Sequence, residues 1–311
     1  MTLQADHRDW SRTIPYQRFF DFIAPDANRY QVLLETAESL ELNFAVITID
    51  DKRHFFIYPP AHKQNISAGN IFPFRGQKPV ILCAHYDRVE GSPGANDNSA
   101  AVFQLLKAAL KLGKDETDYW IIIFTDKEEL RNGETINEQG SFTLAEKLRN
   151  WGLGDAQVYI FDACGTGDTL IISKTTDYIL KGKESKGVFK IRQHIDTLRN
   201  HALDTAHHLR LYNTLMIPTP FSDDAGFLKA GMPAQTISML PTTESGPFAS
   251  FLRKRPDFGE MVINGSAKIS QDRIRIPETW RCLNTASDSY LRLTPQFFEI
   301  VVRFASQLCR I

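Results

Sequence analysis

The chain has 311 residues, of which 42% are hydrophobic and 23% are charged, the proportions of an ordinary globular protein. Its 36 basic and 37 acidic residues nearly cancel, which excludes a global field that would attract nucleic acid or an anionic membrane. No apolar run approaches the ~20 residues that cross a bilayer, and the first residues lack the apolar core of a signal peptide. The four cysteines are scattered without a CxxC pair. We therefore expect a reduced, cytoplasmic protein with no nucleic-acid or membrane partner.

Residues 1–60 are predicted to form two helices followed by a hairpin. Asp26 or Asn28 can cap the second helix, because both residues have short side chains that accept hydrogen bonds. Two apolar stretches, 45–49 and 54–58, flank a short polar turn and are typical of paired strands. These elements come before the stretch that carries the polar chemistry.

That stretch begins with the apolar run 80–84, which suits a buried strand and is too short for a helix. His85 follows the run directly, and Asp87 comes two residues later. A loop rich in Gly, Pro and Asn then leads to Asp97, and a helical apolar stripe starts at Ala101. Strand, polar loop and helix in this order present functional groups at the carboxyl end of a strand in α/β proteins.

The same pattern recurs downstream. Residues 119–125 (YWIIIFT) are the strongest strand signal and are followed by Glu128 and Glu129. Residues 158–161 form another buried strand, and Asp162 is the next residue. Further strands are predicted at 169–172 and 234–239, and further helices at 141–151, 187–211 and 295–308. The alternation predicts a single α/β domain over residues 1–311, with three layers and a mostly parallel mixed sheet flanked by helices.

Three strand ends thus carry an imidazole and several carboxylates. Adjacent strands lie about 4.8 Å apart, so these groups can converge on one pocket. Taken singly, His85 is more often a hydrogen-bonded histidine, Asp162 a turn cap, and the two glutamates loop charges. Their recurrence at strand ends favours a metal site, because clustered carboxylates need a cation, and one nitrogen with several oxygens suits zinc.

The order of these motifs resembles the M28 family of zinc aminopeptidases. The resemblance covers roughly residues 79–310 and rests on His85-Tyr86-Asp87, Gly94-Ala95-Asn96-Asp97-Asn98-Ser99, Glu128-Glu129 with Gly140-Ser141-Phe142, Asp162, and Ser222-Asp223 with the downstream run 227–233. It implies a zinc-aminopeptidase-like fold of the phosphorylase/hydrolase type. It also implies one zinc on His85, Asp97 and Asp162, a second zinc on Asp97 and Glu129, Glu128 as general base, and Asp87 orienting His85.

One position departs from the family pattern. The last metal ligand of the family is a histidine in a run like His-Thr-x-x-Asp, and the matching run here starts at Asn284 and ends at Asp288. No histidine follows His208, and an amide oxygen is a poor zinc ligand. We therefore expect one tight zinc site and a second site that is weak or empty. The loss also disfavours a glutaminyl cyclase, because those relatives hold a single zinc through the equivalents of Asp97, Glu129 and the missing histidine.

Residues 240–281 form a long, basic stretch that includes Arg253-Lys254-Arg255, Arg273 and Arg281. One interpretation is a lid-like insertion over the pocket that favours acidic substrates or a carboxylate. The other is a solvated surface excursion, which is the commoner role of a charge run.

Three polar residues near the motifs are interpreted as structural. Asp223 and Asp224 can cap the turn into the helix that follows them. Cys164 lies close to Asp162, but no histidine is near in the sequence to activate its thiol.

The sequence therefore predicts a metal-dependent aminopeptidase-like hydrolase that acts on a peptide or small amide. Metal-activated water would attack the carbonyl, and Glu128 would shuttle the proton to the leaving amine. The alternative is a catalytically impaired relative that serves as a binding module, as in the transferrin receptor ectodomain and nicastrin. Retention of Glu128 favours the enzyme, and Asn284 favours the module. The sequence does not predict an oligomeric state.

Overall fold

A computed structural model describes residues 16–62, 78–115, 118–130, 133–263 and 275–310. The described part begins with α1 (Tyr16–Ile23) and α2 (Arg29–Ser39). Asn28 caps α2, and its side chain accepts a hydrogen bond from the Gln31 N–H, as the sequence predicted. A hairpin of β1 (Phe44–Ile49) and β2 (Lys52–Ile57) follows.

The sheet is built around short apolar strands whose residues are buried on both faces. These are β3 (Val80–His85), β4 (Trp120–Thr125), β5 (Gln157–Phe161) and β8 (Gln235–Leu240), which lie side by side and run parallel. Their positions agree with the predicted strands to within two residues. Because they are parallel, their carboxyl ends meet at one edge of the sheet.

Antiparallel pairs flank this parallel centre. The full order is β1-β2-β4-β3-β5-β8-β6-β7, with β2 antiparallel to β4. On the other side, β6 (Thr169–Ser173) pairs antiparallel with β8, and β7 (Thr214–Ile217) pairs parallel with β6. The sequence had not predicted β7, since this strand is short and only half-buried. The mixed, mainly parallel sheet confirms the predicted fold class.

Helices cover both faces of the sheet. The remaining helices are α3 (Ala100–Leu112), α4 (Gly140–Asn150), α5 (Thr175–Ile179), α6 (Lys186–His208), α7 (Asp224–Lys229), α8 (Thr242–Lys254), α9 (Phe258–Ile263), α10 (Glu278–Cys282) and α11 (Phe298–Leu308). Along β3, Leu82 and Ala84 pack with α3, α6 and α11, whereas Ile81 and Cys83 pack with α4 and α7. The period of two residues in a strand thus produces three layers.

The basic stretch 240–281 contains helices α8, α9 and part of α10. Phe248, Phe258 and Trp280 form a small apolar core there with residues of β6 and β8. Arg253, Lys254 and Arg255 are exposed, whereas Arg273 lies outside the described residues. The described parts of the stretch, 240–263 and 275–281, are therefore folded onto the sheet, and Arg253 and Lys254 lie on a helix surface.

All four cysteines are free, and three of them are buried. The reduced, cytoplasmic setting expected from the sequence stays a prediction. Among the described helices, none combines the length and apolar character that a membrane span requires.

Candidate metal centre

His85 is the last residue of β3 and is 1% exposed. Its Nδ1 lies 3.3 Å from Asp87 Oδ1, and its Nε2 lies 3.0 Å from Asp97 Oδ1 and 3.8 Å from Asp162 Oδ1. Burial alone would lower the pKa of His85, but the carboxylates of Asp162, Asp87 and Asp97 together raise it well above its usual range. The imidazole is thus enclosed by acids from three segments of the chain.

His85, Asp97 and Asp162, the triad, form a group that could hold a metal ion. One potential ligand atom from each residue lies within 4.8 Å of the other two. In the described part of the chain, both ring nitrogens of His85 and Oδ1 of Asp162 are buried without a hydrogen-bond partner. Buried polar atoms without partners are costly, and a divalent cation bound to Nε2 of His85 and Oδ1 of Asp162 would satisfy two of these atoms, while Nδ1 of His85 faces Asp87. One nitrogen and two carboxylate oxygens also match the three protein ligands of an open zinc site.

Asp87 links the triad to the end of the neighbouring strand. Its carboxylate accepts hydrogen bonds from the backbone N–H of Glu128 at 3.0 Å and of Glu129 at 3.3 Å. Burial raises the pKa of Asp87, but His85 and these N–H groups outweigh it and lower the pKa overall. The charged carboxylate therefore lies between the imidazole and the loop that carries both glutamates, as expected of a residue that orients a ligand histidine.

The loop of Asp97 is fixed by residues far away in the sequence. The Asp288 carboxylate accepts hydrogen bonds from the backbone N–H of Asn96 at 2.8 Å and of Asp97 at 3.0 Å. Gly94 precedes them with φ 60°, and a Cβ there would lie 2.7 Å from the Asp97 carbonyl oxygen. Only glycine adopts this backbone conformation in so little space.

Arg29 of α2 holds the same loop from the other side. It is 6% exposed, and its guanidinium donates to the carbonyl oxygens of Asp87 at 2.7 Å and Gly94 at 3.3 Å, and to the Ser99 hydroxyl. Arg29 was not predicted from the sequence, because it lies far from every motif. Asp288 ends the run that starts at Asn284, but its contact with the Asp97 loop spans 191 residues and could not be predicted from local spacing.

Glu128 lies beside the triad on the loop after β4. Burial, followed by the charges of neighbouring acids such as Glu129 and Asp162, raises its pKa well above its ordinary value, although His85 opposes the shift. The Gln139 side chain donates to the Glu128 carbonyl oxygen at 2.9 Å and lies 3.4 Å from its Oε1. A carboxyl group whose pKa is raised in this way takes up a proton more readily than an ordinary glutamate does.

Glu129 and Asn284 both line the cleft beside the triad, and neither is a member of the triad. Burial, and then the charge of Asp97, raise the pKa of Glu129 to about 7, and Asn284 partly opposes this shift. Asn284 is exposed with φ 59°, in the left-handed region that asparagine tolerates better than most residues. The structure therefore brings the two residues assigned to the weak site into the same cleft.

Asp223 differs from its predicted role as a helix cap. It lies at the N-terminus of α7, but its side chain makes no capping hydrogen bond, and the Thr125 hydroxyl donates to its carboxylate instead. Asp223 is fully buried, which is the main reason that its pKa is raised to about 6. The prediction was wrong because β4 ends beside α7, a contact that the sequence does not show. Asp224 does contact its turn, since its carboxylate accepts from the Ser222 N–H.

The candidate metal centre lies at a cleft of about 450 Å³, which is the size of a small-ligand site. Acids line one part of it: Asp97, Glu128, Glu129 and Asp162. Residues from the stretch 240–284 line another part: Val262, Ile276, Trp280, Arg281, Leu283 and Asn284. The cleft can therefore bind a small molecule next to the candidate metal centre.

The family model of peptidase family M28 matches residues 69–270 of the sequence. The chain belongs to peptidase family M28. The matched range includes His85, Asp97, Glu128 and Asp162, whereas Asn284 lies beyond it. No curated protein sequence matches the chain.

Solved structures similar to this M28 protein include aminopeptidases and glutaminyl cyclases. The LapA aminopeptidase of Legionella pneumophila is 12% identical with a TM-score of 0.58, over 94% of this chain and 69% of that one. BSAP, a zinc aminopeptidase from Bacillus subtilis, is 15% identical with a TM-score of 0.50, over 82% of this chain and 48% of that one. The glutaminyl cyclase of Porphyromonas gingivalis is 16% identical with a TM-score of 0.57, over 94% of both chains. This M28 protein thus spans about half of the Bacillus aminopeptidase, and at these identities the likeness establishes the fold.

Proposed function

We propose that the chain is a zinc-dependent aminopeptidase-like hydrolase that cleaves an N-terminal peptide bond or a related amide. The observation that carries the proposal is the half-buried carboxyl of Glu128 beside three side chains that could bind a metal, at a cleft large enough for a small peptide. Membership of the M28 family supports the same reading.

The triad would hold the ion. Zinc bound there supplies a Lewis acid that polarises the substrate carbonyl and makes water more acidic. Asp87 keeps Nδ1 of His85 turned towards its own carboxylate, which leaves Nε2 directed at the metal position. Asp97 and Asp162 contribute the negative charge that a divalent cation neutralises.

Glu128 would move the proton. As a carboxylate it accepts a proton from the attacking water, and as a carboxylic acid it donates that proton to the nitrogen of the leaving amine. Its place at the cleft beside the triad suits both steps, because a general base must lie close to the proton that it moves. Gln139 and the hydrogen bond from the Glu128 N–H to Asp87 fix the residue in place.

We further propose that the triad binds one zinc tightly and that the second site is weak or empty. The position of Asn284 beside Glu129 supports this, since an amide stands where the family pattern has a histidine. An amide oxygen is also a weaker zinc ligand than imidazole.

The test is Glu128→Gln in zinc-loaded protein with aminoacyl-nitroanilide substrates. We expect hydrolysis to fall by about 100-fold or more, within the range for loss of a general base, while the zinc content stays unchanged. Glu146→Gln makes the same charge change on the exposed face of α4 and is the control, expected to retain activity. Activity that survives Glu128→Gln would remove Glu128 from its role.

A second candidate is glutaminyl cyclase activity, because the fold is also shared with the Porphyromonas enzyme, although Asn284 disfavours it. It would appear as conversion of N-terminal glutamine to pyroglutamate without hydrolysis of aminoacyl-nitroanilides. A protein that binds no zinc after dialysis against zinc, and turns over neither substrate, would instead be a binding module.

A further inference from the structure

Arg281 is the only basic residue among the described residues that line the cleft. It lies on α10, next to Trp280, and its backbone N–H is bonded to the Pro277 carbonyl oxygen. The acidic residues of the cleft come from the strand ends, so this cation enters the same space from a different part of the chain. The guanidinium of Arg281 is therefore a separate positive charge in the cleft, in addition to that of any metal ion bound at the triad.

The guanidinium of Arg281 has no protein partner in the described ranges. Its Nε is buried without a hydrogen-bond acceptor, and no carboxylate pairs with the side chain. The other arginines near this region do have partners: Arg292 pairs with Glu278 at 2.9 Å, and Arg255 pairs with Asp257 at 2.8 Å. A partly buried guanidinium without an acceptor is costly, and an anionic ligand would remove that cost.

The surroundings of Arg281 strengthen its interaction with an anion. Val262, Ile276 and Leu283 line the same cleft, and apolar neighbours lower the local dielectric constant. The indole N–H of Trp280 is a second buried donor without an acceptor in the described part of the molecule. Trp280 and Arg281 thus each carry a buried donor without an acceptor in the described part of the molecule. A guanidinium binds a planar carboxylate through two parallel hydrogen bonds.

We propose that Arg281 binds a carboxylate of the substrate and so makes the site selective for acidic compounds. This inference rests on the proposed function, because it takes the bound compound to be a substrate. The carboxylate site itself depends only on the residues of the cleft. The carboxylate can come from two sources. One is the side chain of an N-terminal aspartate or glutamate, and the other is the free C-terminus of a dipeptide.

The test measures binding by calorimetry to zinc-loaded, full-length Glu128→Gln protein, in which the proposed hydrolysis is blocked. The first ligand pair is the α-amide of L-glutamate against L-glutaminamide, which differ only in the side-chain carboxylate. The second pair is Leu-Gly against Leu-Gly-amide, which differ only at the C-terminus. We expect the carboxylate member of one pair to bind about 10-fold more tightly, as for a charge-assisted pair in a partly buried site. The pair that shows the preference identifies the source.

Adding Arg281→Gln should reduce that preference to below about twofold, and Arg281→Lys should leave it intermediate because a point charge cannot make the bidentate contact. The control is Arg253→Gln, which removes the same charge from the exposed face of α8 and should leave the preference intact. Equal binding within both pairs would overturn the proposal before any arginine variant is made. A preference that persists in a folded Arg281→Gln variant would also overturn it. If the carboxylate preference is found but wild-type protein hydrolyses neither substrate class, the hydrolase proposal fails and the carboxylate site stands.

Discussion

The two sides of the candidate centre are built differently. On one side, His85, Asp97 and Asp162 bring ligand atoms within 4.8 Å of one another and leave buried polar atoms without protein partners. On the other side, Glu129 is half-buried and Asn284 is exposed, and neither residue belongs to the triad.

The difference follows from where the residues are held. His85 and Asp162 come directly from the ends of strands in the parallel centre of the sheet, and Asp97 is fixed through backbone hydrogen bonds to Asp288. Asn284 comes from an exposed loop after a short helix. Rigid strand ends therefore provide a preorganised set of ligands, whereas the loop provides a single exposed amide.

The largest expected effect separates the two sides directly. Asp162→Asn should weaken zinc binding by at least about 100-fold, because it removes a charged ligand and changes to supporting residues alone cost 10–100-fold. Glu129→Gln makes the same change on the other side and should cost less than about 10-fold. Competition with a chromophoric chelator measures both. If Glu129→Gln weakened zinc binding more than Asp162→Asn does, the tight site would be the one that includes Glu129 and Asn284.

The second prediction concerns His54, which supports the start of the glutamate loop by accepting a hydrogen bond from the Asp126 N–H. Burial, with a smaller contribution from Lys52, lowers the pKa of His54 from 6.5 to about 4. The folded state thus binds this proton less readily than the unfolded state. The contribution of the neutral His54 side chain to the free energy of unfolding is therefore complete above pH 6.5. It is lost as the pH falls towards 4, and the total loss is about 3 kcal/mol.

Urea unfolding of metal-free protein at several pH values, compared with His54→Phe, isolates this contribution. The wild type should lose its advantage over the variant between pH 6.5 and 4, since other titrating groups are common to both proteins. Parallel stability curves would show that His54 does not titrate as described.

The third prediction tests whether the triad depends on Asp288. Asp288→Asn keeps the shape but offers a single acceptor oxygen to two backbone N–H groups. We expect zinc binding to weaken by about 10-fold and the free energy of unfolding to fall by about 1–2 kcal/mol. Asp257→Asn, at an exposed site, is the control and should change neither. Unchanged zinc affinity would mean that the Asp97 loop holds its position without Asp288.

The smallest expected effect is a gain. Asn284→His should replace the amide by an imidazole and strengthen the second site by about 10-fold, so that zinc content in excess metal rises from one towards two per chain. Metal analysis by mass spectrometry after gel filtration measures the ratio. A ratio that stays at one would show that more than this side chain separates the two sides.

The sequence predicted the parts of the molecule that depend on local pattern. The strand ends at His85, Glu128 and Asp162 could be read because each follows a short apolar run, and parallel strands bring such ends together. Contacts between distant segments could not be predicted from the local sequence pattern. β7 was missed because only Ile217 is fully buried. The prediction that Asp223 caps the following helix was wrong because the hydrogen-bond partner of its side chain, Thr125, is 98 residues away.

The hydrogen bonds of Arg29 and Asp288 determine which fragments of the protein keep the Asp97 loop in place. Both residues lie outside the range 69–270 that matches the family model, yet both hold the loop of Asp97. A recombinant fragment trimmed to that range would leave the carbonyl oxygens of Asp87 and Gly94 and the N–H of Asp97 without these partners. Such a fragment could retain every ligand of the triad and still fail to bind the ion, so the smallest unit suitable for expression extends beyond the recognisable family region at both ends.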